Sequence, residues 1–240
     1  MFASNGKSIT ISAYNRPDYF ARVMEGLACC EGVEEYQVTA VLDPSDKTEE
    51  LAKIAGGHGV RILIPERHMG CGAAIRFCIE LGFHQSDFHI HLEDDTVPSP
   101  DCLRWFEWAQ RNAPAKTLTI SAYHRDGIGS RSNEAGYREW FTPWGWGTWR
   151  RIYMGHLRGV WKDRGWDNQV QDVRIRLGWG EIYPQLSRIQ NIGAERGTFC
   201  PGPEFHRTHQ HAHAVTGPED SQESWVFDTS DSSCEILKSC

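Results

Sequence analysis

His89-Ile90-His91-Leu92-Glu93-Asp94-Asp95 rises out of Phe88 as an apolar-backed run and stops on three adjacent acidic side chains. Thr96-Val97-Pro98-Ser99-Pro100-Asp101 then turns the chain into the amphipathic stretch Cys102-Leu103-Arg104-Trp105-Phe106-Glu107-Trp108. This pattern predicts a buried strand whose carboxyl end opens into a crevice, with a helix starting just beyond it. Three neighbouring carboxylates repel one another, so a positive charge belongs among them. A divalent cation fits, because hard cations take oxygen ligands and commonly use one or two carboxylates plus substrate phosphates. The plainer alternative is an acidic turn that caps the next helix.

Towards the amino terminus, residues 8–14 alternate as a strand does, and Asn15-Arg16-Pro17-Asp18 breaks the run. Pro17 suits a first helical turn, with a helical apolar pattern over 19–27. Residues 36–42 form a second strand ending at Asp43-Pro44-Ser45. A helix follows from Asp46 to Ala55 and is stopped by Gly56-Gly57. Residues 60–64 form a third strand, residues 70–82 a third helix and residues 88–92 the fourth strand. Strand–helix alternation with short links predicts a mostly parallel α/β sheet. Ligands of such sheets bind outside the carboxyl ends of the strands. Those ends carry Tyr14-Asn15-Arg16, Asp43, Arg67-His68 and Glu93-Asp94-Asp95, which are expected to meet at one rim.

Beyond Asp101 the alternation weakens. Residues 117–123 and 136–142 read as strands, and 124–135 as a polar, Gly-rich loop. Pro143-Trp144-Gly145-Trp146-Gly147 reads as an aromatic turn, 148–156 and 168–177 as helices, and 183–192 as extended chain. The expected organisation is one catalytic domain over 1–215, with a nucleotide-binding half (1–100) and an acceptor half (101–215). A loosely packed tail over 216–240 would follow.

Composition narrows the function. The formal net charge is -7 and no basic stripe appears, which argues against a nucleic-acid partner. No apolar stretch reaches the length of a membrane span, and the first residues do not form a signal peptide. The eight cysteines lack CxxC pairs, so most are expected reduced and buried in a cytoplasmic protein, with a disulfide between the C-terminal ones left open. Ten Trp residues, most of them between Trp105 and Trp179, point to an aromatic core with flat faces left over for sugar rings.

Residues 8–200 resemble the GT-A-fold, nucleotide-sugar-dependent glycosyltransferases. Glu93-Asp94-Asp95 looks like their DxD metal motif in the EDD form of the N-acetylglucosaminyltransferase I-like group. The order Asn15-Arg16-Pro17, Asp43, Arg67-His68, Glu93-Asp94-Asp95 is similar to that group strand by strand. So are Pro143-Trp144-Gly145-Trp146-Gly147 and Trp166-Asp167-Asn168-Gln169. The resemblance implies a UDP-sugar donor, a hydroxyl acceptor such as a glycan, and Mn2+ or Mg2+. It implies that Asp43 accepts the uracil N–H and that Arg16 contacts the diphosphate, with Tyr14 and Asn15 beside it in the nucleotide site. His68 would lie beside the ribose or phosphates, and Asp94 would bind the ribose or a metal-bound water. Asp95 would ligate the metal, Glu93 would face the sugar, and Asp167 would take the acceptor proton. Asn168 departs from the pattern, in which a second acid often follows.

Each role has a plainer counterpart in the residues alone. Asp167 can be the N-cap of a helix over 168–177, Asp43 a turn residue before Pro44, and Arg16 a surface arginine. Trp144 and Trp146 can fill core, although a Gly after each would let backbone approach a ligand; a sugar platform at Trp144, Gly145 and Trp146 is the functional reading. His89 and His91 are expected to hydrogen-bond in the interior. His206 and His209 are the candidate late histidine ligands to the metal, on spacing that fits no zinc pattern. A carbohydrate-binding module without catalysis and a sugar-phosphate nucleotidyltransferase are the competing classes. The second would need a Gly-rich basic loop after the first strand, where Asn15-Arg16-Pro17-Asp18-Tyr19 stands instead.

Overall fold

The computed structural model describes residues 6–125, 133–193, 196, 204 and 221–228. Four strands form the parallel half of the sheet: β1 (Lys7–Ala13), β2 (Tyr36–Leu42), β3 (Arg61–Leu63) and β4 (Phe88–Glu93), side by side as β3-β2-β1-β4. β1 is their hub, and its core-facing Ile9 and Ile11 have no exposed surface. Its register pairs Ala13 with Leu42 and Ser12 with Glu93. The residues that follow, 14–16, 43 and 94–95, therefore leave the sheet at the same height. That pairing gathers the strand ends at one rim.

Three helices link these strands: α1 (Pro17–Ala28), α2 (Thr48–Gly57) and α3 (Cys71–Phe83). α1 begins with Pro17, whose fixed φ suits a first turn and whose missing N–H costs nothing there. It buries Tyr19, Phe20, Val23, Met24 and Leu27, a stripe at helical spacing. α2 starts at Thr48, two residues later than the Asp46 expectation. Thr48 Oγ1 accepts the Ser45 N–H at 2.8 Å and donates to the Ser45 carbonyl at 2.9 Å, so the turn before the helix closes on Thr48.

The second half departs further from the sequence reading. After β5 (Thr96–Pro98), α4 (Cys102–Asn112), β6 (Thr117–Ser121) and β7 (Glu134–Arg138), the segment Trp146–Trp149 is β8. It runs antiparallel to both β4 and β6 in the middle of the sheet, where an aromatic turn leading into a helix was expected. Helical structure begins only after it, with the short α5 (Arg150–Ile152) and a wide π turn over Tyr153–Leu157. α6 (Trp166–Leu177) starts two residues before the predicted helix. Its N-cap is Gly165, at φ +66, so Asp167 lies within the first turn and is not the cap. β9 (Gly180–Pro184) joins β6 and β7, while β10 (Ile189–Asn191) pairs with β5 in a separate two-stranded ribbon.

The expected loose tail holds a packed piece. β11 (Val226–Phe227) extends the sheet beside β7, giving the order β11-β7-β9-β6-β8-β4-β1-β2-β3. Trp225 is 3% exposed, edge-on to Trp105 with ring centroids 5.3 Å apart. The Gln222 N–H donates to Asp101, whose carboxylate also pairs with Arg188 at 3.0 Å. Both members of that pair have fully buried side chains. Removing one would strand the other charge, a loss of about 3–5 kcal/mol.

Of the described cysteines, Cys30, Cys78 and Cys102 are buried, Cys29 and Cys71 are exposed, and all five are free thiols. Cys200, Cys234 and Cys240 lie outside the described residues. No described helix is long and apolar enough to cross a membrane.

Candidate active site

The rim is built from three strand ends. Asp43 follows β2 and is 4% exposed. Its backbone N–H donates to the Ala13 carbonyl at 2.8 Å, which ties it to the end of β1. Its carboxylate accepts the backbone N–H groups of Met69 (2.7 Å) and Gly70 (3.0 Å), and His68 Nδ1 lies 2.8 Å from Oδ2. Gly70 holds φ at +81, a conformation that suits glycine and lets the 68–70 turn wrap the carboxylate. The His68 ring lies against Tyr14, centroids 4.6 Å apart and tilted by 32°. Both rings are more than a third exposed, Tyr14 at 40% of its surface and the His68 side chain at 52%. Asp43, His68 and Tyr14 thus form one acidic, aromatic corner.

Arg16 and the acidic triplet form the neighbouring corner. Arg16 Nη1 donates to Asp95 Oδ2 at 2.7 Å, while Nη2 and Nε reach Asp94. The Tyr14 backbone N–H also points at Asp94, at 3.4 Å. Asp94 and Asp95 are 4% and 6% exposed. Burial works to lower the Arg16 pKa, and the two aspartates more than offset it, so the guanidinium stays charged. Burial pushes Asp94 up to about 6, against the pull of Arg16. Burial, then the charges of Asp95 and Asp94, push Glu93 well above the usual carboxylate range. One guanidinium does not balance three carboxylates so close together.

The ribbon of β5 and β10 supplies the other wall. Its register sets Asn191 opposite Thr96, and the Ile192 N–H donates to the Asp95 carbonyl at 2.8 Å. Asn191 Nδ2 lies 3.5 Å from Asp95 Oδ1. A Cβ at position 193 would sit 2.4 Å from Asp95 Oδ2 and 3.1 Å from Asn191 Oδ1. Gly193, itself buried, therefore lets its backbone pack directly against the Asp95 carboxylate. Neither Asn191 nor Gly193 was expected from the sequence, because only the pairing of two three-residue strands brings them here.

Asp167 approaches from α6 and is half-buried. Its charge adds to the upward push on Glu93 and on the Cys71 thiol, which places it on their side of the crevice. Although Cys71 as a residue is exposed, desolvation of its sulfur, then Glu93, raises the thiol to about 12. The segment before α6 is locked against α3. Trp161 Nε1 donates to the Gly72 carbonyl at 3.1 Å, and a Cβ on Gly72 would lie 1.8 Å from the Asp163 carbonyl oxygen.

The tryptophan readings separate. Trp146 is 1% exposed and stacked on Trp166, centroids 5.8 Å apart at 20°, with Trp161 stacked on the far side of Trp166 at 5.2 Å. Its ring is core, which rules out the sugar platform expected there. Gly145, at φ +65, gives close approach to Ile189, where a Cβ would meet Cγ1 at 2.7 Å; no ligand needs to fill that space. Trp144 is half-buried and edge-on to Tyr123 at 4.7 Å, so it keeps some exposed surface. Asn15 is exposed next to Arg16. His206 and His209 lie outside the described residues.

His89 and His91 face the interior as expected. His89 bridges Ser8 and Thr10, each at 2.8 Å, and His91 lies 3.2 Å from Thr10 and 3.4 Å from Ser12. Burial pushes both imidazoles down to about 3, so they are neutral polar struts and not ligands.

The glycosyl transferase family 2 profile matches residues 8–167, from the first residues of β1 through Asp167. The chain belongs to glycosyl transferase family 2. The mixed, mostly parallel sheet flanked by helices is that of the GT-A fold. Among solved structures, S. aureus TarS 1-349 is similar at TM-score 0.57 and 12% identity, over 77% of this chain and 59% of that one. The mannosyltransferase PcManGT from Pyrobaculum calidifontis, in complex with GDP-Man and Mn2+, is similar at TM-score 0.56 and 14% identity, over 76% and 56%. TarS 1-349 with UDP-GlcNAc is similar at TM-score 0.54 and 10% identity, over 84% and 64%. The family 2 chain thus spans less than two thirds of each of these. No curated protein sequence matches it.

Among the described residues no three His, Cys, Asp or Glu side chains are grouped to hold a metal ion. The donor chemistry still fits a hard divalent ion. Asp94 and Asp95 are oxygen donors, and the single Arg16 guanidinium does not match their combined charge. Two carboxylates with substrate phosphates are enough for such an ion.

Proposed function

We propose that this family 2 enzyme moves a sugar from a UDP-sugar to a hydroxyl acceptor such as a glycan, with a divalent ion, Mn2+ or Mg2+, and with inversion at the anomeric carbon. The observation that carries the reading is the convergence at one rim of the Asp43–His68–Tyr14 corner and the Arg16–Asp94–Asp95 corner. The neighbours in complex with UDP-GlcNAc and with GDP-Man and Mn2+ support the donor class and the ion. The EDD form of the triplet supports kinship with the N-acetylglucosaminyltransferase I-like group.

Asp43 and the exposed faces of Tyr14 and His68 hold the base. A carboxylate offers about four lone-pair positions, and Met69, Gly70 and His68 use three of those on Asp43. The remaining one suits uracil, which presents a single N–H on its pairing edge; guanine presents two donors there. Asn15 sits beside Arg16, which binds the diphosphate as a planar fork. Asp95 holds the ion and Asp94 holds the ribose or an ion-bound water. When bound, the ion stabilises the charge that develops on the departing diphosphate.

Glu93 faces the donor sugar, with its carboxyl pushed above the usual range by burial and then by Asp95 and Asp94. Asp167 takes the acceptor proton as the oxygen attacks, and Trp144 offers an apolar face to a sugar ring. The first turn of α6 suits Asp167, because its backbone is fixed by Gly165 and by the Trp166 stack. One base and one displacement give inversion.

The test is turnover with a panel of nucleotide sugars, with and without EDTA. Transfer from a UDP-sugar that stops in chelator and returns with Mn2+ is expected. Transfer indifferent to chelator removes the metal role from Asp95.

A further inference from the structure

The guanidinium of Arg16 occupies the same carboxylate oxygens that a metal would use. Nη1 sits on Asp95 Oδ2, while Nη2 and Nε engage both oxygens of Asp94. The Arg16 side chain is 14% exposed and those of Asp94 and Asp95 are 5% and 8% exposed, so the three charges are well shielded from water. A divalent ion bound to those oxygens would meet the guanidinium as a like charge at contact distance, and the two would compete for the same lone pairs.

The backbone of Arg16 is fixed, so an exchange of partners needs only its side-chain torsions to change. Its carbonyl accepts the Phe20 N–H at 2.9 Å and Pro17 follows it, so the main chain belongs to the start of α1. The long side chain lies over the Tyr19 ring, 5.6 Å from its centroid, and can swing without moving the helix.

We propose that Arg16 is an exchangeable counter-cation: it offsets part of the charge of Asp94 and Asp95 in the nucleotide-free enzyme and transfers to the diphosphate when the metal enters. This rests on the proposed UDP-sugar and metal site. A diphosphate offers the fork a bidentate anionic partner in place of the carboxylates. Without the nucleotide, metal binding must push Arg16 off two buried charges and leave it unpaired. With the nucleotide, both cations find anions. Metal and nucleotide are therefore coupled through this side chain, in addition to direct ligation of the ion by phosphate.

The test is Mn2+ titration by calorimetry on the wild type and on Arg16→Gln, each with and without UDP. The wild type should bind Mn2+ weakly alone and more tightly with UDP. Arg16→Gln should bind Mn2+ alone about tenfold more tightly than the wild type, and its gain from UDP should shrink, within the ~5–150-fold range usual for coupled sites. Mn2+ should also raise the Tm of Arg16→Gln more than that of the wild type, at ionic strength matched with potassium chloride. If Arg16→Gln does not fold, Arg16→Lys keeps one charge without the fork and should bind Mn2+ alone more tightly than the wild type. A nucleotide-free variant that binds Mn2+ no more tightly than the wild type overturns the exchange while leaving the metal site standing. A wild type that binds no Mn2+ even with UDP overturns the metal site itself, and the exchange with it.

Discussion

The rings of Tyr14 and His68 come from different strand connections, 54 positions apart in sequence, and meet with centroids 4.6 Å apart over the Asp43 carboxylate. Two exposed rings leaning on each other beside a buried acid would serve the proposed site as a shelf for a planar base. Removing the larger ring should weaken donor binding more than chemistry. Tyr14→Ala is expected to raise the KM for the UDP-sugar about tenfold, in line with ~1–3 kcal/mol for a stacked base, with kcat changed much less. Steady-state kinetics over donor concentration checks this, and an unchanged KM would take the base away from Tyr14.

Asp167 has a second expected signature. Asn is nearly the same shape and cannot take a proton, so Asp167→Asn should retain metal-dependent UDP binding and lose turnover by about 10²–10⁴-fold. UDP titration beside rate measurement separates the two effects. A near-native rate would rule Asp167 out as the base.

Gly72 bears on the site from a distance. Its missing Cβ admits the Asp163 backbone, and through it the segment that leads into Trp166 and Asp167. Gly72→Ala puts a carbon 1.8 Å from a carbonyl oxygen, so the backbone must move. Thermal unfolding should show a loss of about 1–3 kcal/mol, the usual range for overpacking. The rate per folded molecule should fall as well, because Asp167 shifts with that segment. Full activity at native Tm would show that α3 and α6 adjust independently.

His91 makes the stability depend on pH. Its folded pKa, about 3, lies below its ordinary value of 6.5. Between those values the unfolded chain takes up a proton that the folded chain refuses. The stabilisation is therefore complete above about pH 6.5 and is lost as the pH falls through that window. Glu93 and Asp94, with raised pKa values, pull in the opposite direction, so the comparison needs a variant that keeps them. Denaturant unfolding of His91→Gln between pH 6.5 and 4 should show a pH slope shallower by up to about 1.4 kcal/mol per unit. Identical slopes would mean His91 titrates normally.

The parallel half of the fold was legible because its signals are local. Apolar alternation, a Pro at the first helical turn and polar strand ends all lie within a few residues of what they specify, and the register of β1 with β2 and β4 brings the ends together. The antiparallel half was less legible. Pro143-Trp144-Gly145-Trp146-Gly147 reads as a turn and 148–156 as a helix, yet Trp146–Trp149 is a strand in which Gly147 lets the backbone lie against Phe88, 2.6 Å from where a Cβ would be. Trp225 offered no periodic pattern, and its burial depends on packing against Trp105 and Trp108 and under the Arg188 guanidinium. At the site, the strand-end acids could be read directly. Asn191 and Gly193 could not, because their approach to Asp95 depends on the β5–β10 pairing. Nor could the pairing of Arg16 with Asp94 and Asp95, which lie 78 and 79 positions away.

The most direct test of a cation-bridged nucleotide site at this rim is UDP binding measured calorimetrically in Mn2+ and in EDTA, on the wild type and on Asp95→Ala. Saturable binding by the wild type in Mn2+, lost in EDTA and lost in Asp95→Ala, is the predicted result. Equal UDP affinity in all of these conditions would contradict it.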